Sequence, residues 1–392
     1  MKLSIKRTDL LDALGIVKPA ARGTLEILRN VLVTANEKSV TLACADLDVF
    51  LRCRANASVS AKGEVTVRAA LLHGIASTGV AEDVFLEAKG GKLHATCGTG
   101  KFVLATLEAK DFPAFPRIKD PIELALDDAS LRAMLAAVSF ASSDDSTRFC
   151  LNGVLLQVLG EQGVNLVATD GRRAALINGE SPIAKKFDRI IPDYAVRELL
   201  RLLGSDEDKP ARCEVVVGNS LIQFNFGEVT MLAKLIDGTF PDYRKIMPDD
   251  KSPVATVDRA ALLAAVERVT LVADAATLAF GKAALEIQSH HSKAKDKFGD
   301  ASDRLLVPAS REVKCTLAAQ YLCDALKATS EASLEFFHDS RGIVMFKTGP
   351  GAARPWRAVI ASLPDDKGRG ASCPANGKVP AAEPAKTESK QS

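Results

Sequence analysis

The sequence predicts an α+β chain of three tandem domains, each a strand-helix-strands unit used twice. Two observations carry this. An apolar strand leading to Phe-Pro occurs twice at one spacing. Leu104, Ala105, Leu107, Phe112 and Pro113 recur as Leu232, Ala233, Leu235, Phe240 and Pro241, each pair 128 positions apart. Arg117-Ile118 stands in the same register with Lys245-Ile246. That period is one domain long, so one fold is used more than once. The second observation is a shared order of parts in three successive segments: a short alternating strand, a helix, several strands, then a second such set.

Each segment opens on an alternating pair of apolar residues followed by a helix-spaced run. Leu3 and Ile5 precede Leu10, Leu11, Leu14 and Val17, with Thr8 as the expected cap. Leu124 and Leu126 precede Leu131, Met134, Leu135 and Val138, capped by Asp127 or Asp128. Ala255 and Val257 precede Asp258 and then Leu262, Leu263, Val266 and Val269. A second helix follows about 60 residues on, expected over 69–78, over 192–203 with Pro at its start, and over 318–329. Short alternating strands fill the intervals, at 31–34, 40–43, 153–158, 164–168, 215–217, 221–226 and 343–347. A strand followed by Pro closes each segment, at 101–107, 229–235 and 356–363.

Linkers rich in Pro and charge place the boundaries near Asp120-Pro121 and at 250–253, giving domains 1–120, 121–251 and 252–364. From Asp365 the chain is Gly, Pro, Ala, Ser, Lys and Glu without periodicity, and this tail, 365–392, is expected to be disordered. A hydrophobic fraction of 47% with 26% charged residues fits a soluble globular protein, and only 5% aromatics requires aliphatic cores. A net charge of +2 neither announces nor forbids nucleic-acid binding, because a local patch acts without a global excess.

Several function classes find no support. The eight cysteines form no C-x-x-C pair and the five histidines stand at no ligand spacing from them, so no metal or other cofactor is expected and the cysteines read as small buried hydrophobes of a reducing compartment. There is no Ser-His-Asp order and no phosphate-cradling glycine loop, and Asp144-Asp145 reads as a solvated pair, so no enzyme is expected. The N-terminus lacks an apolar signal core and no run of 18 uncharged apolar residues occurs; a cytoplasmic protein without a membrane partner is the expectation.

Specific motifs then point to a family. Arg22-Gly23-Thr24-Leu25-Glu26-Ile27-Leu28-Arg29-Asn30 resembles the R-x-T-L-P-I-L-x-N run of the bacterial sliding clamps, the beta subunits of DNA polymerase III. Asp46-Leu47-Asp48, Phe102-Val103-Leu104, Asp111-Phe112-Pro113 and Leu151-Asn152-Gly153-Val154 follow in family order. Ala168-Thr169-Asp170-Gly171-Arg172-Arg173 resembles A-T-D-G-H-R, and 238–248 resembles G-x-F-P-D-Y-R-x-hydrophobic-x-P. The resemblance covers residues 1–363 and implies processivity-fold domains, two chains joined head to tail into a six-domain ring, and helices lining the hole.

For function the resemblance implies a sliding clamp that encircles duplex DNA and tethers the replicative polymerase, with the clamp loader and other clamp-motif proteins as further partners. The alternative is a clamp-like paralogue that binds clamp partners or inhibitors without supporting bulk replication. Basic residues on the implied lining are Arg7, Arg68, Arg132, Arg197, Arg201, Arg259 and Arg268. The DNA-binding set expected from these and from the family motif is Arg22, Arg148, Arg197 and Arg201. A peptide groove is implied at Leu151, Thr169, Gly171, Arg173, Pro241, Lys245, Ile246, Tyr321, Val359, Ile360 and Leu363. The dimer interface would use Phe102 and Leu104 against Leu271 and Val272. Three departures alter the groove: Arg172 stands where the family has His, Lys245 where it has Arg, and Ile360-Ala361-Ser362-Leu363 where it has M-P-M-R-L.

Overall fold

The computed structural model describes residues 1–180, 183–203, 212–291 and 299–364, so the tail expected to be disordered lies outside the described residues. Six α-helices occur among them: α1 (Arg7–Val17), α2 (Ala69–Thr78), α3 (Asp128–Ser139), α4 (Asp193–Leu202), α5 (Arg259–Val269) and α6 (Ala319–Lys327). They pack as the pairs α1 with α2, α3 with α4 and α5 with α6, which is the duplicated unit three times over. By contact density the chain forms two compact units. Among the described residues, the first comprises those within Met1–Ala168, Ala175–Pro241 and Ala353–Trp356; the second comprises those within Thr169–Ala174 and Asp242–Ala352 and from Arg357 to Pro364.

The first unit is organised by a thirteen-stranded antiparallel sheet. Its order is Ile122–Asp127, Arg212–Val217, Leu221–Phe226, Val229–Lys234, Val49–Asn56, Ser39–Ala45, Asn30–Ala35, Gly63–Arg68, Gly100–Leu107, Lys92–Cys97, Asp83–Lys89, Lys2–Lys6 and Ser58–Ala61. The first and second thirds of the chain join where Val229–Lys234 pairs with Val49–Asn56, Leu232 opposite Phe50. Beneath that joint Ala43, Ala45, Phe50, Phe112 and Leu232 form one apolar cluster. Phe112, from the first Phe-Pro motif, therefore closes its domain by packing against the strand that precedes the second. The strands Lys186–Pro192, Gly153–Leu159 and Val164–Thr169 pair separately, in that order.

The second unit holds a four-stranded sheet, ordered Ser302–Leu305, Leu285–His290, Ala275–Phe280 and Val313–Ala318. It also holds the antiparallel set formed by the last strand from Arg357 on, Ile343–Thr348, Ser333–His338 and Ala255–Asp258. The single Trp is buried in the first unit, where Trp356 donates Nε1–H to the Ala137 carbonyl at 2.9 Å, the satisfied polar end a buried indole needs. Five cysteines (Cys44, Cys53, Cys97, Cys213 and Cys315) are buried. Burial pushes the Cys53 thiol up to about 11 and that of Cys315 to about 12, so both stay protonated as small apolar groups.

Helix starts follow the sequence reading at two of three places. Asp127 accepts from the Ser130 backbone at 2.8 Å, and Asp258 from the Ala261 backbone at 2.7 Å. The Thr8 cap is not used. The strand Lys2–Lys6 runs straight into α1, with Lys6 at the cap position and Thr8 already inside the helix. Arg7 instead ties the start of α1 to the end of α2: it donates to the Ala76 carbonyl in α2 and the Ala81 carbonyl just beyond it, at 3.1 Å each. Arg259 repeats the arrangement in the second unit, donating to Glu331 and Leu326 beyond and at the end of α6. Both arginines, grouped by sequence with a basic lining, are committed to helix ends.

Candidate peptide groove and basic surface

The second unit brings most of the expected groove residues together. Thr169–Arg173 is a tight turn fixed by side-chain bonds. The Thr169 hydroxyl donates to the Arg173 carbonyl at 2.7 Å and accepts from the Gly171 N–H at 3.1 Å. One Asp170 oxygen accepts from the backbones of Arg172 and Arg173 at 2.7 and 2.9 Å. Gly171 has φ +86°, where a side chain would be strained. The turn aims Arg173 at α6: its guanidinium donates to Asp170 at 3.1 Å and Asp324 at 2.7 Å, and lies 4.4 Å above the Tyr321 ring. Gln320 holds the other Asp324 oxygen at 2.6 Å. Only 12% of the Arg173 side chain is exposed, so this rim is prebuilt and not a loose surface charge.

Below that rim lies an apolar cluster of Ala174, Phe337, Ile343, Met345 and Val359, with half-buried Ile246 and Met247 packed on it. Lys245, 77% exposed, sits beside Ile246, and Leu363 is half-buried with its N–H on the Thr316 carbonyl at 2.8 Å. Ile360 departs from the expectation. Met345 pairs with Val359 and Val344 with Ile360 in unbroken register, so alternation turns Ile360 to the opposite face from Val359. Of the remaining expected groove residues, Leu151 is buried at the end of the 3-10 turn Ser146–Leu151 and Pro241 is exposed; both belong to the first unit. Sequence reasoning missed Asp324, although its place three residues after Tyr321 on α6 puts the two on one face. It also missed Phe337 and Met345, which carry no motif.

The four arginines of the expected DNA-binding set are each ion-paired. Arg22 donates to Asp46 at 2.8 Å, Arg148 to Asp145 at 3.1 Å and Arg197 to Asp193 at 2.7 Å, the last 70% exposed. The Thr147 hydroxyl and N–H, with Arg148, hold the Asp145 carboxyl below the usual carboxylate range. Arg201 is tied more deeply. It meets Glu198 at 2.5 Å and donates to the Gly15 and Ile16 carbonyls of α1 at 3.3 and 2.8 Å. Beside Arg148 stands Phe149, an exposed aromatic that the sequence reading did not single out.

Apolar residues are exposed along two sheet edges. In the first unit Gly100–Leu107 pairs fully with Lys92–Cys97 but meets Gly63–Arg68 only at Thr106 and Leu107. Phe102, Val103 and Leu107 are exposed there and Leu104 is half-buried. In the second unit Ser302–Leu305 is the outer strand of its sheet, and Leu271 and Leu306 are 84% and 85% exposed, with Val272 half-buried.

Comparison with known proteins agrees with this geometry. Three family models match in order: the N-terminal domain of the DNA polymerase III beta subunit over residues 1–116, its central domain over 125–242 and its C-terminal domain over 244–349. The beta sliding clamp of Pseudomonas putida is 33% identical over 282 residues, covering 70% of this chain and 75% of the relative. The chain belongs to the DNA polymerase III beta subunit family, the beta sliding clamps. The clamp of Synechococcus elongatus is 28% identical over 366 residues, 89% of this chain and 96% of its own length. The crystal structure of the Pseudomonas aeruginosa sliding clamp bound to griselimycin superposes with a TM-score of 0.85 at 27% identity, covering 93% of this chain and 99% of the other. The fold is thus that of three clamp domains, and the function that of a DNA sliding clamp in replication; a paralogue that serves no replication is not favoured by these relatives. Among the described residues no helix is long and apolar enough to cross a membrane.

Proposed function

We propose that two copies close head to tail around duplex DNA and tether the replicative polymerase there, with domains 1–120, 121–251 and 252–364 followed by the tail 365–392. One observation carries this reading. Shifting the strand Gly100–Leu107 by 128 positions lands on 228–235, and the strand Val229–Lys234 stands there, paired with Val49–Asn56. Val49–Asn56 is the third strand after the first helix of its domain; Ser302–Leu305 holds that place after α5. The partner for the first-domain edge is then Ser302–Leu305 of a second copy, flanked by Leu271, Val272 and Leu306. Two unlike surfaces on each copy join in a heterologous contact, and two such contacts close a six-domain ring. An uncovered apolar strand edge is otherwise a liability.

Within the ring Arg22, Arg148, Arg197 and Arg201 are the proposed DNA-facing residues, Arg201 acting chiefly through its hold on α1. Ion pairing suits the task, because a phosphate must displace a carboxylate at each site and the contact stays weak enough to slide. The cluster around Val359 is the proposed peptide groove for polymerase, clamp loader and other clamp-motif proteins. Its apolar floor would bury a Leu or Phe anchor, while Arg173 and Lys245 hold polar atoms of the peptide. The griselimycin-bound clamps of Pseudomonas aeruginosa and Bartonella birtlesii suggest that compound as a competitor for the groove. No catalytic step or cofactor is assigned, and the cytoplasm is the proposed compartment. The test is primer extension on circular DNA by the cognate polymerase with its loader. Products that grow long only when this protein is present are expected; no gain over the clamp-free reaction overturns the reading.

A further inference from the structure

We infer that Arg341 is a positioning residue that sets one wall of the peptide groove through its grip on the backbone of Lys245 and Met247, an inference that rests on reading the Val359 cluster as that groove. The guanidinium forks: Nη1 donates to the Lys245 carbonyl at 2.7 Å and Nη2 to the Met247 carbonyl at 3.3 Å. Nε donates to Asp339 at 2.7 Å and Nη2 lies at the same 2.7 Å from that carboxylate, which fixes the plane of the fork. Between the two gripped carbonyls stands Ile246, and Ile246 and Met247 pack on the apolar cluster.

The gripped segment is short, and the buried Tyr243 anchors its start. Tyr243–Ile246 is a single 3-10 turn. Its internal bonds are long: Lys245 N–H to the Asp242 carbonyl at 3.3 Å, Met247 N–H to Arg244 at 3.3 Å, and Arg244 N–H to the Asp242 side chain at 3.3 Å. The 2.7 Å bond from Arg341 is shorter than any of these and carries a full charge, so it holds the Lys245 carbonyl, and with it Ile246, more firmly than they do. The base of the fork is rigid in turn. The other Asp339 oxygen accepts from the Arg341 and Ile343 backbones at 2.9 and 3.0 Å, and Gly342 takes φ +75° to close the hairpin.

The same hairpin reaches two further parts of the groove. Ile343, next in the chain, is a buried member of the cluster. The Gly342 carbonyl accepts from Ser362 N–H at 3.0 Å, next to Leu363. One turn, 339–342, therefore registers the segment bearing Ile246, the floor residue Ile343 and the strand end bearing Leu363 against each other. Lys cannot replace Arg here in full, because a single ammonium cannot span two carbonyls and a carboxylate in one plane.

The experiment is fluorescence-anisotropy binding of a labelled pentapeptide ending in Leu-Phe, N-acylated and C-amidated so that Arg341 has no peptide charge to meet. Full-length Arg341→Ala is expected to bind about tenfold more weakly with an unchanged melting temperature, and Arg341→Lys to fall between it and the parent. In a double-mutant cycle, Ile246→Ala combined with Arg341→Ala should bind no more weakly than Ile246→Ala alone, since both act through one wall. Should Arg341→Ala not fold, Arg341→Lys and Arg341→Gln carry the comparison. Parent-like binding by the Arg341 variants, or additive losses in the cycle, overturns the inference while leaving the groove in place if Arg173→Ala has lost binding. Parent-like binding by both Arg173→Ala and Ile246→Ala overturns the groove itself, and the inference with it.

Discussion

Leu104 and Leu232 hold the same position in two copies of one strand, and only Leu232 is covered: it is fully buried opposite Phe50, whereas Leu104 is half-exposed. The difference lies in the neighbour, not in the residue. If a second copy supplies the missing neighbour, a charge at this edge should split the dimer without unfolding the domain. Phe102→Asp is expected to convert the dimer to monomer at micromolar concentration, read by sedimentation velocity, with far-ultraviolet circular dichroism unchanged. A variant that still sediments as the parent dimer would remove this edge from the interface.

Freeing the basic residues of the first unit should tighten DNA binding. Asp46→Asn keeps an oxygen for the Asp48 and Val49 backbones, which now bond at 3.1 and 2.7 Å, but releases the charge of Arg22. Each arginine newly available to a phosphate adds about 0.9 to the slope of log affinity against log salt. Stronger, more salt-sensitive binding to linear duplex is expected from Asp46→Asn and from Asp193→Asn, and shorter sliding times with it. An unchanged slope in both would mean that these arginines face no phosphate.

Arg201 should answer differently. Its guanidinium caps the last carbonyls of α1, so Arg201→Ala is expected to destabilise the first unit by about 1–2 kcal/mol, the range for a charged helix-end contact. The salt slope of DNA binding should hardly move. Calorimetric melting separates the two effects; a parent-like melt with a reduced slope would show that Arg201 meets phosphate directly and not through its hold on α1.

Much of this fold is legible because it is periodic. Helix α2 lies where its apolar spacing placed it, over Ala69–Thr78, and the strand Leu221–Phe226 likewise. Capping aspartates were readable at Asp127 and Asp258 because a cap acts within three residues. Arg7 and Arg259 were not, since their partners are carbonyls some seventy residues away, and a backbone carbonyl has no signature in the sequence. The groove shows the same split. The turn Thr169–Arg173 is local and was legible. Asp324, which holds Arg173 from a helix far along the chain, was not, nor was the face of Ile360, which depends on register with Val344.

The Arg173 rim should be needed for peptide capture and dispensable for assembly. Arg173→Ala leaves Asp324 with Gln320 and removes the charge over Tyr321, and Tyr321→Ala removes the ring. Together they should weaken binding of a labelled clamp-motif peptide by more than tenfold while the sedimentation coefficient stays that of the parent. Equal binding by the double variant would place the peptide elsewhere.

Acid should loosen the approach to the third domain. Asp250 accepts from Lys347 at 2.9 Å and Arg357 at 3.4 Å, just before the strand Ala255–Asp258. The Lys347 hydrogen bond, with help from Arg357, lowers the carboxyl below its ordinary 3.8. A carboxylate whose folded value is depressed stabilises the fold fully above its unfolded value and loses that contribution as pH falls through the folded one. The stabilisation is therefore present at neutral pH and disappears below about pH 4. Asp250→Asn should lower the melting temperature at pH 7 modestly, the pair being partly exposed, and the gap from the parent should close as pH falls below 4. A gap that stays constant from pH 7 to pH 3 would show that Asp250 contributes through packing and not through its charge.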